Sequence, residues 1–495
     1  MTATTEDRAT LGRARLSLTG VLAQSVGFMG PVFSVAALLP LIVGLSATGQ
    51  GAGVATPFAI IAAGVGIFGA GWIIAQYARR IHLCGSLYEY VCDGAGPRIG
   101  IIAGWLYYGA MLILGAATVI VLGGQTQAFL QTAFSVTVPW WPLALGFLAV
   151  VMAIVIIGVQ VSVRAQLVLA LASSAIVLGF SLYIIARGGL GGHSLSLEPF
   201  NPFSVGRLAL LYGALYGVNM FIGFESAANL AEETDNPKRD VPRAVLLSLT
   251  VVGLYFVVVA YGQDVGFGLN GTAWKNSVFP LQVLASGSTF GSAGFGDLVS
   301  LLIILDILAV AIGIGVAVTR GMLAMARAGR LPSGLATVDP RFRTPVVGTI
   351  LLGVITLICI VVVVATNGLF SRATGQPGVL QPQWAPAFGW MAGFGGAGLA
   401  LMYLAVSAAG VAGLWKQVNR TKLVIAAAAG ITFSVGVLFG AVYKAPSPLN
   451  TVPWALLVWI VLGVLWSFVV LRKRSRPAGA ETSRPAPGAV PGSQV

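Results

Sequence analysis

Charged residues are scarce in this sequence: 9% of its 495 residues are Asp, Glu, Lys or Arg, whereas 57% are hydrophobic. A soluble domain carries roughly a quarter charged residues, so this chain could not give several soluble domains their polar surfaces. Histidine and cysteine are also rare, with two and three residues. These are too few for a disulfide framework or for histidine-based catalysis inside a membrane, and we expect neither. The scarcity of charge predicts a membrane protein.

Long apolar runs dominate the sequence instead. Runs of about 20 residues, the length that a helix needs to cross a bilayer, recur from end to end. They are too long and too little alternating for the strands of a membrane barrel. We therefore predict an all-α polytopic membrane protein with twelve transmembrane helices. The predicted spans are 18–44, 54–78, 99–123, 140–159, 165–187, 207–232, 243–265, 293–318, 345–366, 386–413, 422–443 and 452–471.

The net charge of +13 follows membrane topology and does not indicate nucleic-acid binding. If the N-terminus is inside, all but five of the 28 Lys and Arg residues fall in segments that face the cytoplasm. The positive-inside rule then places both termini in the cytoplasm. We expect a cytoplasmic segment at 1–16 without a signal peptide, a membrane domain at 17–474, and a tail at 475–495. Because the tail is rich in Pro, Gly, Ser and Ala, we expect it to be disordered.

Two of the predicted spans contain residues that interrupt a helix. In the first, "LAQSVGFMGPVFSVAALLPLIV", Gly27, Gly30 and Pro31 lie in the middle. In the sixth, "LYGALYGVNMFIGFESAANLAEE", Gly223 lies beside an acid, Glu225. Glycine weakens a helix and proline removes a hydrogen-bond donor. Interruptions at corresponding places in two halves, five spans apart, indicate an inverted-repeat transporter with a binding site near the bilayer midplane.

Three blocks of sequence resemble the amino acid–polyamine–organocation superfamily of permeases. The loop after the sixth span, "GFESAANLAEETDNPKRDVPRAV" at 223–245, resembles the signature of that family. "TRGMLAMARAGRLP" at 319–332, followed by "TP" at 344–345, resembles the motif after its eighth helix. "GSLYEYVCDGAGPRIGIIAGWLYY" at 85–108 resembles the stretch that leads into its third helix. The resemblance runs in order over about residues 16–475.

The resemblance implies a leucine-transporter-like fold. Two five-helix inverted repeats, about 18–187 and 207–413, would surround a midplane site, and two accessory helices would follow at about 422–471. In such proteins the N–H groups of the broken first helix hold the substrate carboxylate, and carbonyl groups of the sixth hold the amine. The implied substrate-binding residues are Gly27, Phe28, Met29 and Gly30 at the first break and Asn219, Phe221, Ile222, Gly223 and Phe224 at the second.

The first break departs from the family pattern in one respect. Many relatives carry Gly-Ser/Thr-Gly there, whereas this chain has Met29-Gly30-Pro31. Because proline has no N–H group, at least one donor for a carboxylate is missing. An amine without a carboxylate therefore stays open as an alternative substrate.

Acids are few within the predicted spans, and the two that we single out are Glu225 in the sixth and Asp306 in the eighth. An acid at membrane depth is costly and indicates a functional role, for example as a proton or cation site. The alternatives are a structural tie for Glu225 and a packing role for Asp306. Ser173 of the fifth span could face a sodium ion, although serine more often bonds to helix carbonyl groups. By resemblance, Tyr107 in the third span is the candidate gate.

We therefore expect a secondary active transporter in the plasma membrane that moves a small amino acid by alternating access. We expect coupling to an ion, a proton rather than sodium, or exchange of substrates. The partners would be a small amino acid or amine, the coupling ion and the lipid bilayer, with no cofactor, metal or nucleic acid. A nutrient sensor built on a transporter fold is the alternative from another class. An intramembrane aspartyl protease, suggested by "GFGD" at 294–297, would need a second aspartate on a facing helix, whereas Asp306 lies nine residues along the same helix.

Overall fold

The computed structural model describes residue 11 and residues 16–44, 51–192, 196–277, 279–366, 383–443 and 448–474. Most of the expected N-terminal segment 1–16 and all of the tail 475–495 lie outside the described residues. The described part is helical, as the sequence predicts. Its one β-type contact is an isolated bridge between Leu16 and Thr234.

The helices follow one another along the chain. The first nine are α1 (Leu18–Met29), α2 (Pro31–Phe33), α3 (Leu39–Val43), α4 (Thr56–Ala78), α5 (Leu87–Ala95), α6 (Pro97–Phe134), α7 (Trp140–Ile157), α8 (Val159–Ala186) and α9 (Arg207–Phe221). The others are α10 (Pro237–Gly266), α11 (Gly271–Lys275), α12 (Pro280–Ser286), α13 (Ala293–Arg327), α14 (Val346–Ala365), α15 (Trp384–Leu414), α16 (Arg420–Val442) and α17 (Val452–Arg474). A π-helical turn, Ser34–Leu38, joins α2 to α3 in one helical stretch.

Within the described residues, 11 helical segments are long and apolar enough to cross a membrane. They lie at eleven of the twelve expected spans. The exception is the expected sixth span, where α9 ends at Phe221 and a 3-10 helix, Phe224–Glu233, follows. The 15 residues of α9 measure only about 22 Å, less than the hydrocarbon core of a bilayer. The count of twelve spans and the two inverted repeats stay predictions.

Both expected helix breaks are present, and each lies at a glycine. At the first, Gly30 has a left-handed backbone with φ +55°, and Pro31 then opens α2. At the second, Gly223 has φ +113° between α9 and the 3-10 helix. Residues other than glycine rarely adopt these backbone conformations, which explains why each break has a glycine. The sequence prediction of the two interruptions is therefore confirmed.

The two breaks lie against each other inside the bundle. A Cβ atom added to Gly223 would lie 2.7 Å from the Phe28 ring and 2.9 Å from the Met29 nitrogen. The Ser25 hydroxyl donates to the Phe224 carbonyl at 2.8 Å and accepts from the Ala227 N–H at 3.2 Å. The end of α1 and the start of the 3-10 helix therefore form one packed unit in the core.

This close packing predicts that Gly223→Ala destabilises the protein. The substitution places a side chain at a positive φ and against the Met29 backbone, and we expect a loss of about 2 kcal/mol of unfolding free energy. The matched control is Gly179→Ala on α8, where a Cβ atom would meet nothing within 4 Å. Thermal unfolding of the purified proteins should show a lower midpoint for Gly223→Ala alone. Equal midpoints for the two variants would contradict the packing described here.

Candidate functional site

At the first break, the start of α2 is covered by a carboxylate from another helix. Asp306 lies on α13 and is fully buried. Its Oδ2 atom accepts the N–H of Val32 at 2.9 Å and the N–H of Phe33 at 2.8 Å. These N–H groups belong to the positive end of the helical stretch 31–43, where an anion is favoured. Asp306 thus acts as the N-terminal cap of this stretch, from 274 residues away.

The other N–H groups at this helix start are used within the chain. Gly30 donates to the Val26 carbonyl at 3.2 Å, and Ser34 donates to the Gly30 carbonyl at 2.8 Å. Pro31 has no N–H group. Since Val32 and Phe33 bond to Asp306, the backbone between Gly30 and Ser34 keeps no donor for a further anion.

The second oxygen of Asp306 is less well satisfied than the first. The Ser173 hydroxyl lies 3.4 Å from Oδ1, but its shorter bond, 2.7 Å, goes to the Leu169 carbonyl. Tyr255 on α10 lies within electrostatic reach of Asp306 and beside Ser174. The hydroxyls of Tyr255 and Ser174 are buried beside each other, and neither has a hydrogen bond to a third group in the described part of the chain. Several oxygen atoms on this side of Asp306 therefore have hydrogen-bonding capacity that is not fully satisfied.

At the second break, the Glu225 carboxylate is held by three donors. The Tyr107 hydroxyl donates to Oε1 at 3.2 Å, and the Tyr403 hydroxyl donates to Oε2 at 3.0 Å. The Gly223 N–H also donates to Oε2, at 3.2 Å. Glu225 is fully buried, so these bonds replace the water that a carboxylate needs. The arrangement ties the broken helix to α6, which carries Tyr107, and to α15, which carries Tyr403.

The other residues expected at the site divide into two groups. The first group lies along the contact between the breaks and α13. Phe28 packs against Gly223 and Gly313, the Met29 carbonyl accepts the Ser34 hydroxyl at 2.9 Å, and Gly27 allows a close approach of Gln166 on α8.

The second group points toward neighbouring helices. The Phe221 ring packs edge-on against Phe256 on α10 and touches Gly64 on α4. The Asn219 side chain lies against Gly396 on α15. The Phe224 ring packs near Tyr403, with 5.6 Å between ring centroids. Ile222 is buried between the two helical parts.

Sequence reasoning missed several polar residues that the structure brings to this region. Gln24 on α1 donates to the Gly313 carbonyl at 3.0 Å, and Gln166 donates to the Gln24 side chain at 3.1 Å. Both glutamines lie in apolar spans, so their polarity alone was a usable signal. The role of Tyr403 had no such signal, because aromatic residues are common in membrane helices.

A buried ion pair joins the end of the 3-10 helix to α13. Arg320 on α13 bonds to Glu233 through Nε at 2.5 Å and through its second terminal nitrogen at 3.2 Å. Both side chains are at most 2% exposed. The Glu233 carbonyl also accepts the Leu16 N–H at 2.7 Å. The segment before α1, the end of the 3-10 helix and α13 therefore meet at this ion pair.

Cys84 lies close to this ion pair and contacts the same 3-10 helix. Its N–H donates to Glu232 at 3.0 Å, and its carbonyl accepts the Asn229 side chain at 3.1 Å. Burial, reinforced by the nearby Glu232, raises the pKa of the Cys84 thiol well above its ordinary value. Because the buried thiol stays protonated, Cys84 contributes to packing and is not a reactive nucleophile. All three cysteines are free.

Comparison with known proteins gives one family match and several curated relatives. The model of the amino acid permease family matches residues 26–375, more than half of the chain. A low-affinity putrescine importer of Escherichia coli (strain K12) is 25% identical over 294 residues. That match covers 58% of this chain and 62% of the importer, so the chain spans less than two thirds of that relative's length.

Two relatives in Bacillus subtilis (strain 168) are of similar distance. A branched-chain amino acid permease is 26% identical over 324 residues, covering 61% of this chain and 67% of the relative. A methylthioribose transporter is 27% identical over 322 residues, covering 62% and 67%. The names of these relatives thus give putrescine, branched-chain amino acids and methylthioribose as what those proteins transport.

The buried ion pair predicts that Glu233→Gln is strongly destabilising. It leaves the Arg320 guanidinium buried without a counter-charge, which costs about 3–5 kcal/mol. The control is Arg327→Met, which removes a partly exposed pair with Glu232 and should cost at most about 1 kcal/mol. Thermal unfolding should separate the two variants clearly.

A double variant sharpens this test. Glu233→Gln with Arg320→Met removes both charges, and it should be more stable than Glu233→Gln alone, because no unpaired charge stays buried. A double variant that is less stable than either single one would show that the pair is not the cause.

Proposed function

The chain belongs to the amino acid permease family, and from that premise we propose that it is a secondary transporter of a small amino acid or amine. It would lie in the plasma membrane with both termini in the cytoplasm and work by alternating access. The observation that carries this proposal is the contact of the two helix breaks, with a buried acid at each. Broken helices are tolerated in a membrane where their free backbone groups line a binding site.

The substrate site would lie between the two breaks. Phe28, Met29 and Gly30 would contribute from the first helix, and Ile222 and Gly223 from the second. Gln24 and Gln166, which bridge α1, α8 and α13, would add side-chain polarity on the same side. The packing of Phe221 and Asn219 against neighbouring helices favours a supporting role for those two side chains.

The ion pair between Arg320 and Glu233 would close the cytoplasmic end in this conformation. The expected topology places the basic loops on that side. Opening toward the cytoplasm would then require Glu233, at the end of the 3-10 helix, to separate from α13. Because the 3-10 helix begins directly after Gly223, movement at this end would be passed on to the second break.

Of the two buried acids, Glu225 is a better candidate than Asp306 for the residue that carries the coupling ion. Glu225 bonds to hydroxyl groups of α6 and α15, which can reorient when the carboxylate takes up a proton. Asp306 bonds to two backbone N–H groups at a helix start, where the charged carboxylate is favoured over the protonated acid. Ser173 bonds chiefly to its own helix. We therefore propose a proton at Glu225 as the coupling ion, with Tyr107 acting through its hydrogen bond to that acid.

Transport by the purified protein in liposomes tests the proposed function. Labelled amines and amino acids should enter saturably, and unlabelled substrate inside the vesicles should stimulate their uptake. Binding without any flux would favour the nutrient-sensor alternative. Flux that does not saturate would indicate a channel, and either result would contradict the proposal.

Glu225→Gln tests the coupling role. The amide can still accept the Tyr403 hydroxyl and the Gly223 N–H, and it can donate to Tyr107, so the local structure should survive. We expect substrate exchange at equal pH to continue within a few-fold of wild type, whereas accumulation driven by a pH gradient is lost. Tyr403→Phe serves as the control, because it removes one hydrogen bond but keeps the acid. Gradient-driven accumulation that persists in Glu225→Gln would show that the proton is carried elsewhere.

A further inference from the structure

Asp306 occupies the place where a substrate carboxylate would bind to the first broken helix. We propose that this acid is the resident counter-ion of the substrate's ammonium group, and that the preferred substrate is an organic cation without an α-carboxylate. The inference rests on the proposed transport function and names its substrate class. Its first support is the use of the Val32 and Phe33 N–H groups by Oδ2 of Asp306.

A substrate carboxylate would find no donor at this helix start. Gly30 and Ser34 bond within the chain, and Pro31 has no N–H group. To bind there, the carboxylate would have to displace Asp306 and then stay close to it as a like charge. Like charges at short range in a buried setting repel strongly, so an amino acid carries a penalty that the corresponding amine does not.

The charges around the breaks also favour a cation. The two buried acids of this region, Asp306 and Glu225, are bonded to neutral donors and not to basic side chains. The buried Arg320 lies on the same helix as Asp306 but 14 residues later, about 21 Å along the axis, and it is paired with Glu233. No Lys or Arg side chain among the described residues is therefore bonded to either of these two acids.

The second oxygen of Asp306 provides a place for an ammonium group. An ammonium group carries three N–H donors. Oδ1 of Asp306 has one long contact, and the hydroxyls of Tyr255 and Ser174, which lie beside each other, have no hydrogen bond to a third group in the described residues. Tyr255 is only 8% exposed, so its hydroxyl cannot rely on bulk water. Oδ1 and these hydroxyls are therefore the acceptors that the N–H groups of an ammonium group would use on this side of Asp306.

Matched pairs of amine and amino acid test the inference on the purified wild-type protein. The probes are putrescine with ornithine, agmatine with arginine, and 3-methylbutylamine with leucine, which differ within each pair by the carboxylate. Binding is measured as the ligand-dependent rise in unfolding temperature and as competition for uptake in liposomes. In the pair that binds, the amine should bind about tenfold or more tightly than its amino acid.

Two substitutions then separate the charge of Asp306 from its capping role. Asp306→Asn keeps an oxygen for the Val32 and Phe33 N–H groups but removes the charge, and it should weaken amine binding about tenfold or more. Asp306→Ala frees both N–H groups, and it should improve the binding of the amino acid relative to the amine. Asp297→Asn, the same change on the same helix nine residues earlier, should leave the preference unchanged.

The outcomes distinguish this inference from the proposed function. If amino acids bind and their amines do not, the transporter proposal stands and the inference is overturned. If no probe of either class binds or moves, the proposed function itself fails. If Asp306→Asn abolishes a dependence on sodium but leaves the amine preference intact, Asp306 is a coupling-ion site and the inference is also overturned. If the variants fail to fold, the wild-type pairs still decide.

Discussion

The hydrogen bonds from Val32 and Phe33 to Asp306 are the interaction on which this structure most depends. A helix broken in a membrane leaves backbone N–H groups that lipid cannot satisfy, and each one left unpaired costs several kcal/mol. The break at Gly30 creates such groups in the core of the bundle. A fixed carboxylate from α13 satisfies them, so the break is stable before any ligand binds.

A similar solution holds the second break. There the Glu225 carboxylate accepts from Gly223 of its own segment and from tyrosines on α6 and α15. Each break is therefore fastened by one acid, and the two breaks touch through Phe28 and Gly223. The Arg320–Glu233 pair fastens the same 3-10 helix at its other end. A single 3-10 helix thus connects the second break to the Arg320–Glu233 pair.

The sequence predicted these features to different depths, for physical reasons. The breaks were predictable because glycine and proline act on the local backbone, and the helical class was predictable from apolar length. The sixth span is not a single long helix, since its second part is 3-10, and hydropathy alone does not report that difference.

Glu225 and Asp306 stood out as acids in apolar spans. Their partners did not, because Asp306 to Val32 and Glu225 to Tyr403 are contacts between residues 274 and 178 apart. Arg320 and Glu233 lie in two different family motifs, and nothing in the sequence near either residue indicates that the two side chains pair.

A high-resolution cryo-electron-microscopy structure of the protein bound to its preferred substrate is the most direct test of this account. The account predicts that Oδ2 of Asp306 still accepts the Val32 and Phe33 N–H groups, and that the substrate's ammonium group lies within ion-pair distance of Oδ1. A substrate carboxylate bonded to those two N–H groups, with Asp306 turned away, would contradict it.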